Sequence, residues 1–244
     1  MFQKRIIAIH AVDQNTLQPK HLNRYFTILK SIGYKFLPLD EIFSSKYKGK
    51  FISLTVDDAY KSTITNLLPI LNTYNIKATL FVPPSLLGLK ANDKKLLAQY
   101  CYSDQDMMTI EDLKIWKNNG HEIAFHTNEH IDLYEANEDV IISDFKSGME
   151  KMSILGYKIK YFAYPKGFLP KNRFEFEKLL QEYSIQKAFT ITWGKVNTEN
   201  PYYINRLCLG DKEPLFWSIL KTIGIVDWYY LKQKIKYYER VRHN

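Results

Sequence analysis

Phe51-Ile52-Ser53-Leu54-Thr55-Val56-Asp57-Asp58-Ala59-Tyr60 is an apolar, β-branched run that stops on two carboxylates. A buried strand reads this way, and the paired charges mark where it leaves the core. The same pattern recurs on both sides of it. Residues 4–9 end at His10, 78–82 stop at Pro83-Pro84, and 122–125 run into His126. Residues 160–164 lead to Pro165-Lys166-Gly167, and 187–191 and 202–207 read as two last strands. Helical patterns fill the intervals. Residues 19–32 have Pro19 at the start and Gly33 after the end, and 62–74 carry Ile64, Leu67, Leu68 and Leu71 at helical spacing. Residues 110–119 have Thr109 as N-cap and Gly120 as stop, and 138–155 and 173–183 complete the set. The stretch 85–108 is irregular except for a short helix around 94–101. Alternation of strand and helix predicts an α/β fold with a parallel sheet, open or closed into a barrel. His10, Asp57/Asp58, His126 and the Pro165 turn each follow a different strand. An open sheet gathers ligands at one switch point, so this spread suits a barrel mouth better.

The chain has 244 residues, 45% apolar and 25% charged, with a net charge of +8. That is globular composition with an excess of cations. The lysines are dispersed, and no zinc finger, aromatic RNA-binding signature or basic-region helix accompanies them, so no nucleic-acid partner is expected. Cys101 and Cys208 form no C-x-x-C pair, which suits a reducing compartment. The apolar run at residues 6–9 is too short for a secretion signal, and no run approaches a membrane span. The expectation is a cytoplasmic protein that meets a membrane only from its surface. Residues 211–244 differ from the rest, with Trp217, Trp228, Tyr229, Tyr230, Tyr237 and Tyr238 among Lys232, Lys234, Lys236, Arg240 and Arg242. They read as a basic aromatic helical extension, packed on or appended to a domain spanning 1–210. Such a helix either rests its aromatic face on its own domain or lies peripherally at the inner membrane surface.

Two chemical groups stand out. His126 and His130 are four residues apart, a spacing that puts both imidazoles on one face of a helical turn and lets them share a metal. One carboxylate of the Asp57-Asp58 pair would complete a three-residue site, leaving the other free as a base. Either feature alone is common.

Together they carry a resemblance. Asn119-Gly120-His121-Glu122-Ile123-Ala124-Phe125-His126-Thr127-Asn128-Glu129-His130 resembles the second motif of the polysaccharide deacetylase (NodB homology) family, carbohydrate esterase family 4. Thr55-Val56-Asp57-Asp58-Ala59-Tyr60 is similar to its first motif, T-F-D-D-G, and Phe162-Ala163-Tyr164-Pro165-Lys166-Gly167 to its third, R-x-P-x-G. Order and spacing agree over about residues 1–210. The resemblance implies a distorted (β/α) barrel of about seven strands with a divalent metal at its mouth. It implies Asp58, His126 and His130 as ligands and Asp57 as general base for the attacking water, a division that fits a base whose charge is not neutralised by ligation. It also implies substrate contacts from Tyr164, Pro165, Lys166 and Gly167. There the Lys166 N–H would be an oxyanion donor, and Gly167 would allow close approach.

The leaving amine needs a proton. Many family members supply it from a histidine near the C-terminus, but here the only histidine after His130 is His243. His10, in Ile7-Ala8-Ile9-His10-Ala11-Val12, resembles the N-terminal Tyr-His segment of relatives with rearranged motif order and is the expected acid. His21 and His121 read as structural or surface residues. Three positions depart from the pattern. Ala59 replaces the motif glycine and is expected to adopt ordinary φ values. Ala163 replaces the arginine that orients the base, leaving Arg206 or Lys166 to do so. Lys166 replaces an aromatic and could meet an anionic group on the substrate.

The resemblance therefore implies a metal-dependent hydrolase that removes an N-acetyl group from an amino-sugar-containing saccharide and releases acetate. Zinc suits two imidazoles and a carboxylate, and cobalt, nickel or iron(II) would also fit. A cytoplasmic setting favours a nucleotide- or lipid-linked precursor over finished polymer. Two alternatives share the motifs: a deformylase or cyclic amide or imide hydrolase, and a non-catalytic carbohydrate-binding protein on the same scaffold.

Overall fold

A computed structural model describes residues 3–95 and 104–228. Most of the helix expected at 94–101, Cys101 and the tail beyond residue 228 lie outside the described residues. The strands are β1 (Gln3–Ile9), β2 (Lys35–Phe36), β3 (Lys50–Asp57), β4 (Ala78–Val82), β5 (Glu122–Phe125), β6 (Tyr161–Ala163), β7 (Lys187–Phe189) and β8 (Leu207–Cys208). The helices are α1 (Pro19–Ser31), α2 (Leu68–Tyr74), α3 (Ile110–Asn118), α4 (Glu138–Ile154), α5 (Arg173–Glu182) and α6 (Leu215–Ile223). The sheet order is β7-β6-β5-β4-β3-β1-β8, and every pairing is parallel. Short β2 takes the edge of β3 at Phe51 and Ile52, before β4 joins at Leu54. Ile204 bridges to Phe189 while Leu207 and Cys208 pair with β1, so residues 204–208 span from β7 to β1 and curl the sheet into the expected distorted barrel.

Alternation along the strands sorts side chains into two layers. Ile6, Phe51, Phe81, Ala124, Tyr161, Ala163, Phe189 and Ile204 form the inner cluster. Ile7, Ile9, Leu54, Val56, Leu80, Phe125 and Phe162 face outward onto the helices. Each large side chain so buried contributes about 1.5–3 kcal/mol. The inner register continues upward: His10, Asp57, His126, Arg206 and Cys208 sit an even number of residues above inner-layer positions. The parity of the strands thus aims the candidate site residues inward at one end of the barrel.

Three elements differ from expectation. The helix at 62–74 opens with a π-helical turn, Thr63–Leu67, because Pro69 has no N–H for the carbonyl four residues back and its ring crowds that carbonyl. The last strand is only Leu207–Cys208, since Ile204 turns to pair with β7 instead. Helix α6 is inverted in polarity. Ser218, Lys221 and Thr222 are buried, while Phe216 is 71% exposed. The buried groups are satisfied. Lys221 donates to Cys208 O at 2.8 Å and pairs with Glu213 at 2.6 Å, and the Tyr25 and Thr222 hydroxyls lie 2.6 Å apart. These bonds dock α6 on α1 and β8.

Candidate active site

Asp57 is the last residue of β3, and Asp58 and Ala59 make the turn that follows. Both turn residues are left-handed, with φ of 76° and 61°, and Asp58 N–H donates to Phe81 O of β4. The expectation of ordinary φ at Ala59 is therefore corrected. The turn that brings both carboxylates to the mouth demands the conformation a glycine adopts freely, and Ala59 holds it at a cost of roughly 1–2 kcal/mol.

His126 follows β5 and remains tied to β4 by its N–H to Val82 O. Residues 126–130 are not a helical turn, so the expected helix face is also corrected. They form a loop with left-handed Thr127 (φ 60°) and His130 (φ 55°), which folds His130 back beside His126. Asp144 of α4 holds this loop, accepting from the Asn128 and Glu129 N–H groups at 2.7 and 3.0 Å. His126 Nδ1 lies 2.7 Å from Ala163 O. A carbonyl only accepts, so Nδ1 carries the proton and Nε2 presents a lone pair.

Asp58 Oδ1 stands 3.4 Å from Nε2 of His126 and 3.4 Å from Nε2 of His130, and all three side chains are buried. One ligand atom from each residue lies within 4.8 Å of the others. Atoms ~2.1 Å from a tetrahedral zinc would stand ~3.4 Å apart, so the spacing suits a cation. Asp58 Oδ1 is a buried oxygen without a hydrogen-bond partner among the described residues, as a metal-directed oxygen would be. Burial, set against the Asp58 charge, brings His130 down to about 3, so its imidazole is neutral at pH 7. Burial also opposes ionisation of Asp58, but the imidazoles of His130 and His126 outweigh it and hold the carboxyl well below the usual range. Two imidazoles and one carboxylate are a donor set that suits zinc.

Asp57 faces a different partner. Arg206 Nη1 and Nη2 donate to its two oxygens at 2.6 and 2.8 Å, a bidentate pair with Arg206 fully buried. The guanidinium is itself fixed by Thr190 O, Thr55 Oγ1 and the ring of Phe81. Burial pushes the Asp57 carboxyl up, and Arg206, helped by His126, more than reverses this, so the group lies below its ordinary value. Of the two cations considered for the place of the missing motif arginine, Arg206 is the one that pairs with Asp57. It comes from the segment that crosses from β7 to β1. Lys166 instead points to Asp132, 3.4 Å away.

His10 lies at the end of β1, partly exposed, with Cys208 Sγ 3.9 Å from Nδ1. Burial lowers its pKa, but Cys208 and the Asp58 and Asp57 carboxylates raise it to about 10. His10 therefore holds a proton at neutral pH. In the third motif, Pro165 is buried at the start of a single 3-10 turn, and Lys166 is left-handed (φ 55°). Gly167 (φ 73°) is required by packing, because a Cβ there would lie 2.1 Å from Ile191 Cγ1. Packing against Ile191 is thus reason enough for a glycine at this position. The expectation for Tyr164 is corrected. Its phenol is buried in the outer layer and donates to Tyr202 O, so it does not face the mouth. His121 and His21 are structural: the first accepts from Ala78 N–H and stacks on Trp116, and the second meets Ser218.

Sequence reasoning missed Thr55, Asp144 and Cys208. Asp144 was detectable, as a carboxylate inside the buried stripe Ile141, Phe145, Gly148, Met152 of α4.

Comparison with solved structures places this geometry in context. The fold is similar to that of IcaB from Ammonifex degensii, with a TM-score of 0.74 and 20% identity over 91% of this chain and 96% of that one. The Streptococcus pyogenes deacetylase PplD, solved with acetate, gives a TM-score of 0.71 and 20% identity over 90% and 98%. A de-N-acetylase from Aggregatibacter actinomycetemcomitans gives 0.70 and 19% over 90% and 99%. Comparison with curated protein sequences gave no match. The family model described as polysaccharide deacetylase matches residues 44–182, more than half of the chain and the stretch that holds Asp57, Asp58, His126, His130 and the Pro165 turn, and the chain belongs to the polysaccharide deacetylase family.

Proposed function

We propose that this protein is a metal-dependent hydrolase that removes an N-acetyl group from an amino-sugar-containing saccharide. The observation that carries this reading is the division of labour between adjacent carboxylates. Asp58 faces two imidazoles, while Asp57 is paired with the guanidinium of Arg206. Asp58, His126 and His130 would hold a divalent ion, zinc by default, which would supply Lewis-acid polarisation of the acetyl carbonyl. Asp57 takes a proton from the attacking water as its oxygen bonds to the carbonyl carbon. His10 gives a proton to the nitrogen as the C–N bond breaks, releasing acetate and a free amine. In this reading the Lys166 N–H donates to the oxyanion. A carbohydrate-binding protein on the same scaffold would have no use for a fully buried guanidinium clamped on Asp57, because a buried ion pair brings little net stability.

The catalytic unit in this proposal is residues 1–210, and 211–244 is an extension that contacts an anionic membrane surface. The inverted polarity of α6 supports this: Phe216 and Ile225 are 71% and 57% exposed while Ser218, Lys221 and Thr222 are turned inward. The sequence beyond it adds Lys232, Lys234, Lys236, Arg240 and Arg242. Such a face favours a lipid-linked saccharide over a nucleotide-linked one. Acetate and formate release would be measured on chito-oligosaccharides, nucleotide sugars and lipid-linked sugars, with zinc supplied. Acetate from a saccharide supports the proposal. Formate alone would move the protein to deformylation, and no acyl release from any substrate by zinc-loaded protein would contradict it.

A further inference from the structure

The loop that carries both imidazoles has no helix to order it, yet His126 and His130 stand at one point. We infer that Asp144 is the positioning residue that sets the separation of these two ligands and so the metal affinity of the site. This rests on the proposed metal centre.

Asp144 sits on the buried face of α4 between Ile141 and Gly148, where an apolar residue would be expected. Among the described residues no cation lies within ion-pair distance of it. Its two oxygens instead accept from consecutive backbone N–H groups, Asn128 and Glu129, at 2.7 and 3.0 Å. Those amides lie between the left-handed residues Thr127 and His130. A run of backbone that turns through left-handed residues converges its N–H groups into an anion-binding concavity, and the carboxylate fills it. A buried carboxylate without a cation is costly, so its place is explained by the two donors it satisfies.

A second observation is independent of these bonds. One turn after Asp144, Gly148 brings α4 against the loop so closely that a Cβ there would lie 2.5 Å from Phe125 Cζ and 2.9 Å from Asn128 Cβ. Helix and loop are therefore seated without a gap, and Asp144 is the polar group at that seam. Only an acceptor-only side chain satisfies both amides. Asparagine of the same size would turn an NH₂ against one of them.

The test is zinc affinity by competition with a chromogenic chelator, on wild type, Asp144→Asn, Asp144→Ala and Asp58→Asn, with thermal unfolding of each metal-free protein. Asp144→Asn is expected to keep a cooperative transition and to bind zinc about tenfold more weakly, the size of effect known for groups that orient ligands. A folded Asp144→Asn that binds zinc within about twofold of wild type would overturn the inference. If Asp144→Ala does not fold, the isosteric variant decides. If wild type and Asp58→Asn bind zinc equally weakly, the metal centre itself is wrong, an outcome distinct from tight binding that ignores Asp144.

Discussion

In the proposed mechanism Arg206 holds Asp57 ready as the base, through the bidentate pair between them. Its guanidinium is buried, and removing it strands a buried carboxylate. Arg206→Met is expected to destabilise the protein by about 3–5 kcal/mol, read by urea unfolding. It should also move the acid limb of the kcat/KM profile to higher pH, because burial then raises the carboxyl that Arg206 holds down. An acid limb that stays in place would show that Asp57 is not the titrating base. His10 has the opposite sign. Its folded value of about 10 exceeds the ordinary 6.5, so its contribution to stability is full below 6.5 and is lost as pH rises through 10. In metal-free protein, His10→Gln should flatten the fall in unfolding free energy across that interval; an unchanged slope would assign it to another group. Ala59→Gly is the simplest change. It should stabilise by about 1 kcal/mol in chemical denaturation, since φ of 61° strains alanine and not glycine.

At the scale of elements, what the sequence revealed and what it hid follow one physical line. Strand–helix alternation was legible because buried parallel strands are continuous apolar runs and their helices repeat at 3.6 residues. Asp57, His126 and His10 could be singled out because each stands at a strand end, and Asp58 and His130 because they follow one and four residues after Asp57 and His126. The conformation between them was not legible. H-x-x-x-H suits a helix and a loop equally, and only the packing of α4, through Asp144 and Gly148, selects the loop. Arg206 could be named as a candidate, but its choice over Lys166 depends on residues 204–208 crossing from β7 to β1, a long-range pairing with no local signature. The inward-facing polar residues of α6 escaped for the same reason, since they are buried only because β8 and α1 offer partners. If the outer face of α6 meets a membrane, Phe216→Glu combined with Ile225→Glu should reduce co-sedimentation with anionic vesicles several-fold and leave the unfolding temperature within about 2 °C. Equal sedimentation would leave the face without that role.

At the scale of the whole molecule, a curled parallel sheet gathers side chains from β1, β3, β5 and the β7-to-β1 crossing into one end of a barrel. Helices on the outer face fix the loops that carry them. Among the described residues no helix is long and apolar enough to cross a membrane. Family membership and fold agree with carbohydrate deacetylation, and the central claim is that Asp57 performs proton transfer beside a metal it does not bind. The measurement that tests this most directly is acetate release by zinc-loaded wild type and Asp57→Asn on a saccharide that wild type deacetylates, with the zinc content of both determined. The account predicts full zinc in the variant and a fall in kcat of about 10²–10⁴. Zinc lost together with activity, or activity retained within a few-fold, would contradict it.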